Sequence, residues 1–397
     1  MKFYHLFFLL LASFFLTHLG SAQQVQLGID VLQQNNFDLL RGKRVGLVTN
    51  QTGVNGSGEK TRLILKKNVR LVALYTPEHG LDGTEKAGCH VKSRRDPLTG
   101  LTAYSLYDET RKPTPAMLSG IDVLVYDMQD IGCRSYTYIS TMAKCLQACA
   151  EQHKEFVVLD RPNPLGGERV EGMPVEPRWR SFVSQLPIPY VHGMTVGELA
   201  IMANEKGWMG PKAHLKVVRM RGWRRGMTWQ MTGLHWVQPS PNIPNGMSPF
   251  YYVITGVVSE LGDGIDIGMG TQNSFKVFSA PWMKPRMLSY LRSHCVGIQV
   301  NSFPSLYGRG VVFDVDPNNH SNNLCAASLY LLAESNRQSH GGIFCKAKHD
   351  EIDIFNKVYG SSSIRQKLML QSPERIIAAW QPFLSYFHSE RKSYLLY

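Results

Sequence analysis

Apolar residues in the first half of the chain fall into short blocks, and each block stops at a cluster of charged or amide side chains. Leu71-Val72-Ala73-Leu74-Tyr75 runs straight into Pro77-Glu78-His79-Gly80. A short apolar run closed by proline suits a strand covered on both faces better than a helix, and Pro77, Gly80 and Gly83 bar its continuation. Arg44 to Thr49 is a similar block broken by Asn50-Gln51-Thr52-Gly53, and Lys60 to Lys67 then has helical spacing. Ile121 to Asp127 is a third block, followed through Gln129-Asp130-Ile131-Gly132 by helical periodicity from Tyr136 to Gln152. Phe156 to Leu159 is a fourth, ending in Asp160-Arg161-Pro162-Asn163-Pro164. Strands alternating with helices imply right-handed crossovers and a parallel sheet, so the expected class is α/β, with a Rossmann-like, mostly parallel sheet flanked by helices.

In such a sheet the carboxyl ends of the strands share one edge, where ligands bind. Asn50, Glu78, His79, Asp127, Gln129, Arg161 and Asn163 would then converge although they are far apart in the chain. Each has an ordinary alternative: Asp127 as a helix cap, Asn50 as the closure of an Asx turn, Arg161 as a partner of Asp160.

Common signatures of this fold class are absent. The glycines Gly53, Gly56 and Gly58 are in the wrong order for a dinucleotide fingerprint, and Glu59 sits where a phosphate-cradling loop would hold phosphate oxygens. There is no Gly-x-Ser-x-Gly elbow and no His-Glu-x-x-His helix. Neither a cofactor nor a metal is expected.

Further on, Thr195 and Glu198 form a capping box before an apolar helical face, and Leu215 to Met220 reads as a strand. Trp223, Trp229 and Trp236 lead into a stiff Pro-rich wall at residues 239–244. Gly262 to Thr271 is Gly-rich and acidic, a turn or hairpin by its composition. From about Pro281 the pattern suggests a smaller α+β domain, with helices over Ala326 to Ala333 and Pro373 to Phe387. The tail Arg391 to Tyr397 is apolar enough to dock. The expected organisation is therefore residues 1–22, 23–280 and 281–397.

The first of these segments carries Lys2, an apolar run from Phe3 to Leu16 and the small residues Gly20-Ser21-Ala22, the pattern of an export signal. The run is short for a spanning helix, so no membrane span is expected after cleavage. Of 397 residues, 43 are Lys or Arg and 31 Asp or Glu, a formal charge of +12 that favours polyanions. For an exported protein this points to wall polymers and not to nucleic acid. The seven cysteines show no metal spacing, and Cys145 and Cys149 lie one helical turn apart, a poor disulfide geometry. At least one is expected to remain a buried thiol.

Several motifs, in order, resemble one bacterial family: residues 45–53, Pro77-Glu78-His79-Gly80, the stretch from Asp127 to Tyr138, residues 160–164, His192-Gly193-Met194-Thr195, Pro239-Ser240-Pro241-Asn242 and the closing Tyr394-Leu395-Leu396-Tyr397. It is the exo-β-N-acetylmuramidase family, and the likeness spans nearly the whole chain. The resemblance implies a Rossmann-like catalytic domain with a smaller carboxyl-terminal domain, exported, releasing N-acetylmuramic acid from non-reducing ends of peptidoglycan fragments. It also implies Glu78 as the acid. Glycoside hydrolysis usually requires a second carboxylate, for which Asp127 and Asp130 are the candidates. His79 would orient Glu78, while Asn50, Gln129, Arg134, Tyr136, Tyr138, Arg161, Asn163 and Asn242 would hold the sugar, an Arg fork suiting a lactyl carboxylate.

The chain departs from the family in its Gly-rich stretch. Relatives read Glu-Gly-Thr and then Gly-Arg-Gly-Thr; here Leu261 falls at the Glu, with Glu260 one residue earlier, and Met269 replaces the Arg. This keeps open a second reading, a non-catalytic or specificity-altered protein that binds wall sugar in the same cleft. A hydrolase or transferase acting on another carbohydrate or an ester is a third.

Overall fold

The computed structural model describes residues 24–262, 264–319 and 321–397; the expected export signal lies outside them. Its main sheet has seven strands in the order β3-β4-β2-β1-β5-β6-β7. They span Arg44–Thr49 (β1), Arg70–Thr76 (β2), Arg94–Arg95 (β3), Thr102–Ser105 (β4), Val123–Asp127 (β5), Glu155–Leu159 (β6) and His214–Val218 (β7). All neighbours are parallel except β3, which runs against β4. Helices Thr61–Asn68, Thr137–Glu151 and Val196–Glu205 make the crossovers from β1 to β2, β5 to β6 and β6 to β7.

The strands read as unbroken apolar runs because both faces are covered. Along β5, Val123 and Val125 pack into one core with Ile64 and Leu65 of the first crossover helix. Leu124 and Tyr126 point the other way, against Ile139 and Met142 of the second. Alternation is present, but both sides of it are hydrophobic. Register then levels the strand ends: Thr49 pairs with Asp127, and Tyr126 with Val158. Close packing at that edge demands glycine at Gly28, where a Cβ would stand 2.4 Å from the Asp160 backbone nitrogen.

A second, antiparallel sheet has the order β8-β10-β9, from Val277–Phe278 (β8), Ile298–Phe303 (β9) and Gly310–Val315 (β10). Around it lie helices that include Ser248–Ser259 and Leu324–Gln338, which pack on each other. The segment expected as one helix over Pro373 to Phe387 is two, Pro373–Ala378 and Gln381–Glu390. Pro382 lacks the N–H that would continue the first helix, and it sits where a helix start tolerates it.

Two side chains join distant parts of the chain. The tail docks as its composition suggests: Tyr397 donates to Asp160 Oδ2 at 2.8 Å, accepts the Met220 N–H at 2.8 Å, and sets its ring edge-on to Trp223. Arg134, expected to hold the sugar, is instead a structural tie. It is fully buried, and its guanidinium donates to the carbonyls of Met173, Ile188, Val358 and Tyr359 at 2.7–3.3 Å and to Ser184 Oγ. No donor remains for a ligand carboxylate. All seven cysteines are free thiols, five of them buried.

Replacing Arg134 with Met leaves several buried carbonyls without donors and is expected to lower unfolding free energy by ~3 kcal/mol or more in denaturant titration. A loss below ~1 kcal/mol would contradict the structural role. Tyr397→Phe strands the Met220 N–H and removes a donor from Asp160. It is expected to cost about 1–3 kcal/mol, read as a lower denaturation midpoint with unchanged slope.

Candidate active site

Pro77 ends β2, and His79 and Gly80 follow with φ of +68° and +78°, so the chain turns back sharply after Glu78. His79 Nδ1 contacts the Glu85 carbonyl at 2.7 Å and holds this turn together. Glu78 is buried. Its Oε1 accepts the Gly88 N–H at 2.7 Å, and its Oε2 accepts the Thr137 hydroxyl at 2.8 Å. The Tyr107 hydroxyl lies beside it, with the Arg111 guanidinium 3.7 Å above the Tyr107 ring. Gly88, Thr137 and Tyr107 thus all present donors to this side chain.

A second acid, Glu260, caps the end of the Ser248–Ser259 helix close enough to feel the Glu78 charge. Burial first, and the neighbouring Glu78 charge second, push its carboxyl up to about 7. Tyr252 on the same helix feels both carboxylates, and its hydroxyl meets Ser135 Oγ at 3.0 Å. Tyr136 and Tyr138 complete the wall, their rings 4.9 Å apart and edge-on. Tyr138 donates to the Pro239 carbonyl at 2.5 Å, and Asn50 lies close to the same hydroxyl. The cluster thus combines two carboxyls with an aromatic lining.

Other expected residues lie on the same edge but serve the loops. Asp127 is sealed from solvent: Arg161 Nε and Nη2 reach its two oxygens at 2.6 and 3.0 Å, and Thr61 Oγ1 donates at 2.5 Å. This pair is a buried clamp, and Asp127 has no oxygen left for a substrate. The Arg161 guanidinium pairs with Asp127, while its backbone N–H donates to Asp160 Oδ1 at 3.0 Å. Asn50 closes an Asx turn on the Thr52 N–H at 2.9 Å, leaving its Nδ2 buried without a partner. Asn163 bonds the Met194 carbonyl and the Leu165 N–H, both at 3.0 Å.

Gln129 donates to the carbonyls of Asp130 and Pro162, each at 2.8 Å, with its Oε1 buried and unpaired. Asp130 accepts the Gly132 N–H at 2.7 Å, and burial raises its carboxyl to about 7. Asn242 accepts the Gly270 N–H at 3.2 Å, tying the Pro-rich wall to the Gly-rich loop where Met269 is 48% exposed. Leu261, at the position of the family's Glu, is fully buried.

The sequence reading missed Thr137, Gly88, Tyr107 and Tyr252 as partners of the acid. Thr137 stood inside the 127–138 motif but read as the start of a helix. Gly88, Tyr107 and Tyr252 carry no local signal. Among the described residues no group of three or more His, Cys, Asp or Glu is placed to hold a metal, and no helix is long and apolar enough to cross a membrane.

Two family descriptions match the chain: "Exo-beta-N-acetylmuramidase NamZ, N-terminal" over residues 45–247 and the corresponding C-terminal description over residues 250–397. The peptidoglycan beta-N-acetylmuramidase NamZ of Bacillus subtilis (strain 168) is 39% identical over 391 residues, covering 94% of this chain and 92% of that protein. Two crystal structures of DUF1343 family proteins from Bacteroides fragilis NCTC 9343 superpose on it. One has a TM-score of 0.87 at 42% identity and the other 0.73 at 26%, each match covering 94% of this chain and 99% of the other. With both halves matched in order and this degree of identity, the chain belongs to the exo-β-N-acetylmuramidase NamZ family.

Proposed function

We propose that the protein is a peptidoglycan β-N-acetylmuramidase that removes N-acetylmuramic acid from non-reducing ends, with Glu78 and Glu260 sharing the proton chemistry. The kinship with the B. subtilis enzyme supports the reaction class. The observation that carries the division of roles is the pair of unlike carboxyls. Glu260, half-buried and without a hydrogen-bond donor nearby among the described residues, enters the reaction carrying its proton and gives it to the departing glycosidic oxygen. In place of the acid role that the resemblance implies for it, Glu78, set among the donors of Gly88 and Thr137, acts as the partner that receives a proton from water or meets the developing charge at the sugar carbon, and Glu260 stands where Asp127 or Asp130 was expected. Two carboxyls in unlike surroundings, one bonded by donors and the other raised to about 7 by burial and its neighbour's charge, suit the two roles of glycoside hydrolysis.

Export fits this substrate, and the apolar leader at residues 1–22 supports it. The exchange of the family's Arg for Met269 and of its Glu for Leu261 favours the second reading, in which the cleft binds without turnover. Glu260 answers part of that objection by supplying a carboxyl from the adjacent position.

The test is hydrolysis of a chromogenic muramic acid glycoside. Release by the wild type, and loss of about 10²-fold or more in kcat for both Glu78→Gln and Glu260→Gln, is the expected result. Binding without release would establish the second reading. Because the reactive form of Glu260 is protonated, kcat/KM should fall as pH rises through about 7. A Glu260→Gln variant with wild-type turnover and the same basic limb would overturn the role.

Stability gives an independent check. A carboxyl raised from about 4.5 to about 7 binds more protons folded than unfolded, so its contribution is lost as pH climbs through that window. The melting temperature of Glu260→Gln relative to wild type should therefore increase between pH 5 and pH 8.

A further inference from the structure

The same sheet edge holds a cavity of about 170 Å³, whose walls include Thr52, Val54, Gln129, Arg161, Trp229 and Val237. None of its lining residues belongs to the Glu78–Glu260 cluster. It sits where the strand order reverses, since the chain passes outward from β1 to β2 and β4 on one side and from β5 to β6 and β7 on the other. Open α/β sheets bind ligands at this position.

The usual occupant, a nucleotide phosphate, does not fit. Every backbone N–H from Gly53 to Glu59 is already bonded within the turn or to Asp30, so none is left for an anion. The Asp30 carboxylate itself holds the Gly56 N–H, and the Arg161 charge is matched by Asp127. The cavity therefore suits a neutral ligand.

Its polar groups are specific. The Gln129 amide is oriented by its two Nε2 bonds, which leaves Oε1 as an acceptor without a donor, on a residue only 2% exposed. Arg161 uses Nε and Nη2 on Asp127 and Val54, and its Nη1 has no hydrogen bond among the described residues. An acceptor and a donor beside an aromatic wall match a secondary amide carried on an apolar-faced ring. Trp229 supplies that wall, braced edge-on by Trp236 at 4.8 Å.

We propose that this cavity is a second saccharide site, separate from the catalytic carboxyls, which takes one neutral N-acetylated sugar. The acetamido N–H donates to Gln129 Oε1, its carbonyl accepts from Arg161 Nη1, and the ring lies along Trp229. Such a site would let the protein hold a wall glycan beside the residue being removed, but its binding does not depend on turnover.

Calorimetric titration of the full chain with N-acetylglucosamine, glucose and N-acetylmuramic acid tests it. Saturable binding of N-acetylglucosamine is expected in wild type and in Glu78→Gln alike, with glucose weaker because it lacks the amide, and the anionic sugar weaker at this site because Asp30 lies nearby. Val237→Trp, which fills the cavity, and Trp229→Leu, which removes its wall, should each weaken binding by about tenfold or more. Both should hydrolyse the chromogenic muramide within about twofold of wild type. The proposal falls if N-acetylglucosamine does not bind, if both variants bind as wild type does, or if turnover falls in step with binding, which would make the cavity part of the catalytic cleft. Failure of the muramidase reading alone would appear as absent hydrolysis with this binding intact.

Discussion

Asp127 and Arg161 meet in a space without solvent, at the carboxyl ends of β5 and β6. Burying two charges costs several kcal/mol each, and attraction offsets this only when the remaining donors and lone pairs are also used. Here they are. Thr61 completes the carboxylate, Arg161 Nη2 also takes the Val54 carbonyl, and Thr49 Oγ1 bonds the Asp127 carbonyl at 3.0 Å. One ion pair thereby fastens the loops after β1, β5 and β6 to each other.

What those loops carry follows from the clamp. Asn50 and Thr52 stand between the clamp and Tyr138, and Gln51 reaches over to the carbonyls of Gln238 and Pro239 at 2.8 and 2.9 Å. The Pro-rich wall is held against the Thr137–Glu151 helix, whose first residue donates to Glu78. On the far side, Arg134 links the loop after β5 to the end of the His349–Tyr359 helix. The wall and the helix start beside Glu78 are thus fixed by polar contacts, of which only the Thr137 bond involves its carboxyl. The two acids sit in unlike surroundings, Glu78 among donors and Glu260 half-buried with no donor bonded to it among the described residues.

The same polar residue types serve as clamps and as chemistry, which sets the limit of what could be read from the chain. The five parallel strands from β1 to β7, other than β4, are visible because each is an apolar run that ends in a breaker, and the docking of the tail is visible because Leu395 and Leu396 are poor surface residues. β3 and β4 are too short and too mixed to stand out. Asp127, Arg161 and Arg134 come from the right motifs, yet a motif does not show whether a guanidinium ends on a carbonyl or in a cleft. Asn50 illustrates the ambiguity, since its Oδ1 closes the expected Asx turn while its Nδ2 remains unpaired. Glu260 was visible beside the displaced family Glu, but only the fold brings the end of the Ser248–Ser259 helix close enough for Glu260 to feel the Glu78 charge.

The division of roles rests on Glu260 keeping its proton up to about pH 7 beside the Glu78 charge before substrate arrives. Carbon-13 NMR titration of the protein labelled at glutamate carboxyls measures this directly, with assignment by comparison of wild type, Glu78→Gln and Glu260→Gln. A resonance that titrates near 7 is expected in wild type; it should disappear in Glu260→Gln and move to lower pH in Glu78→Gln as the neighbouring charge is removed. A Glu260 resonance that titrates in the ordinary glutamate range, unaffected by Glu78→Gln, would contradict it.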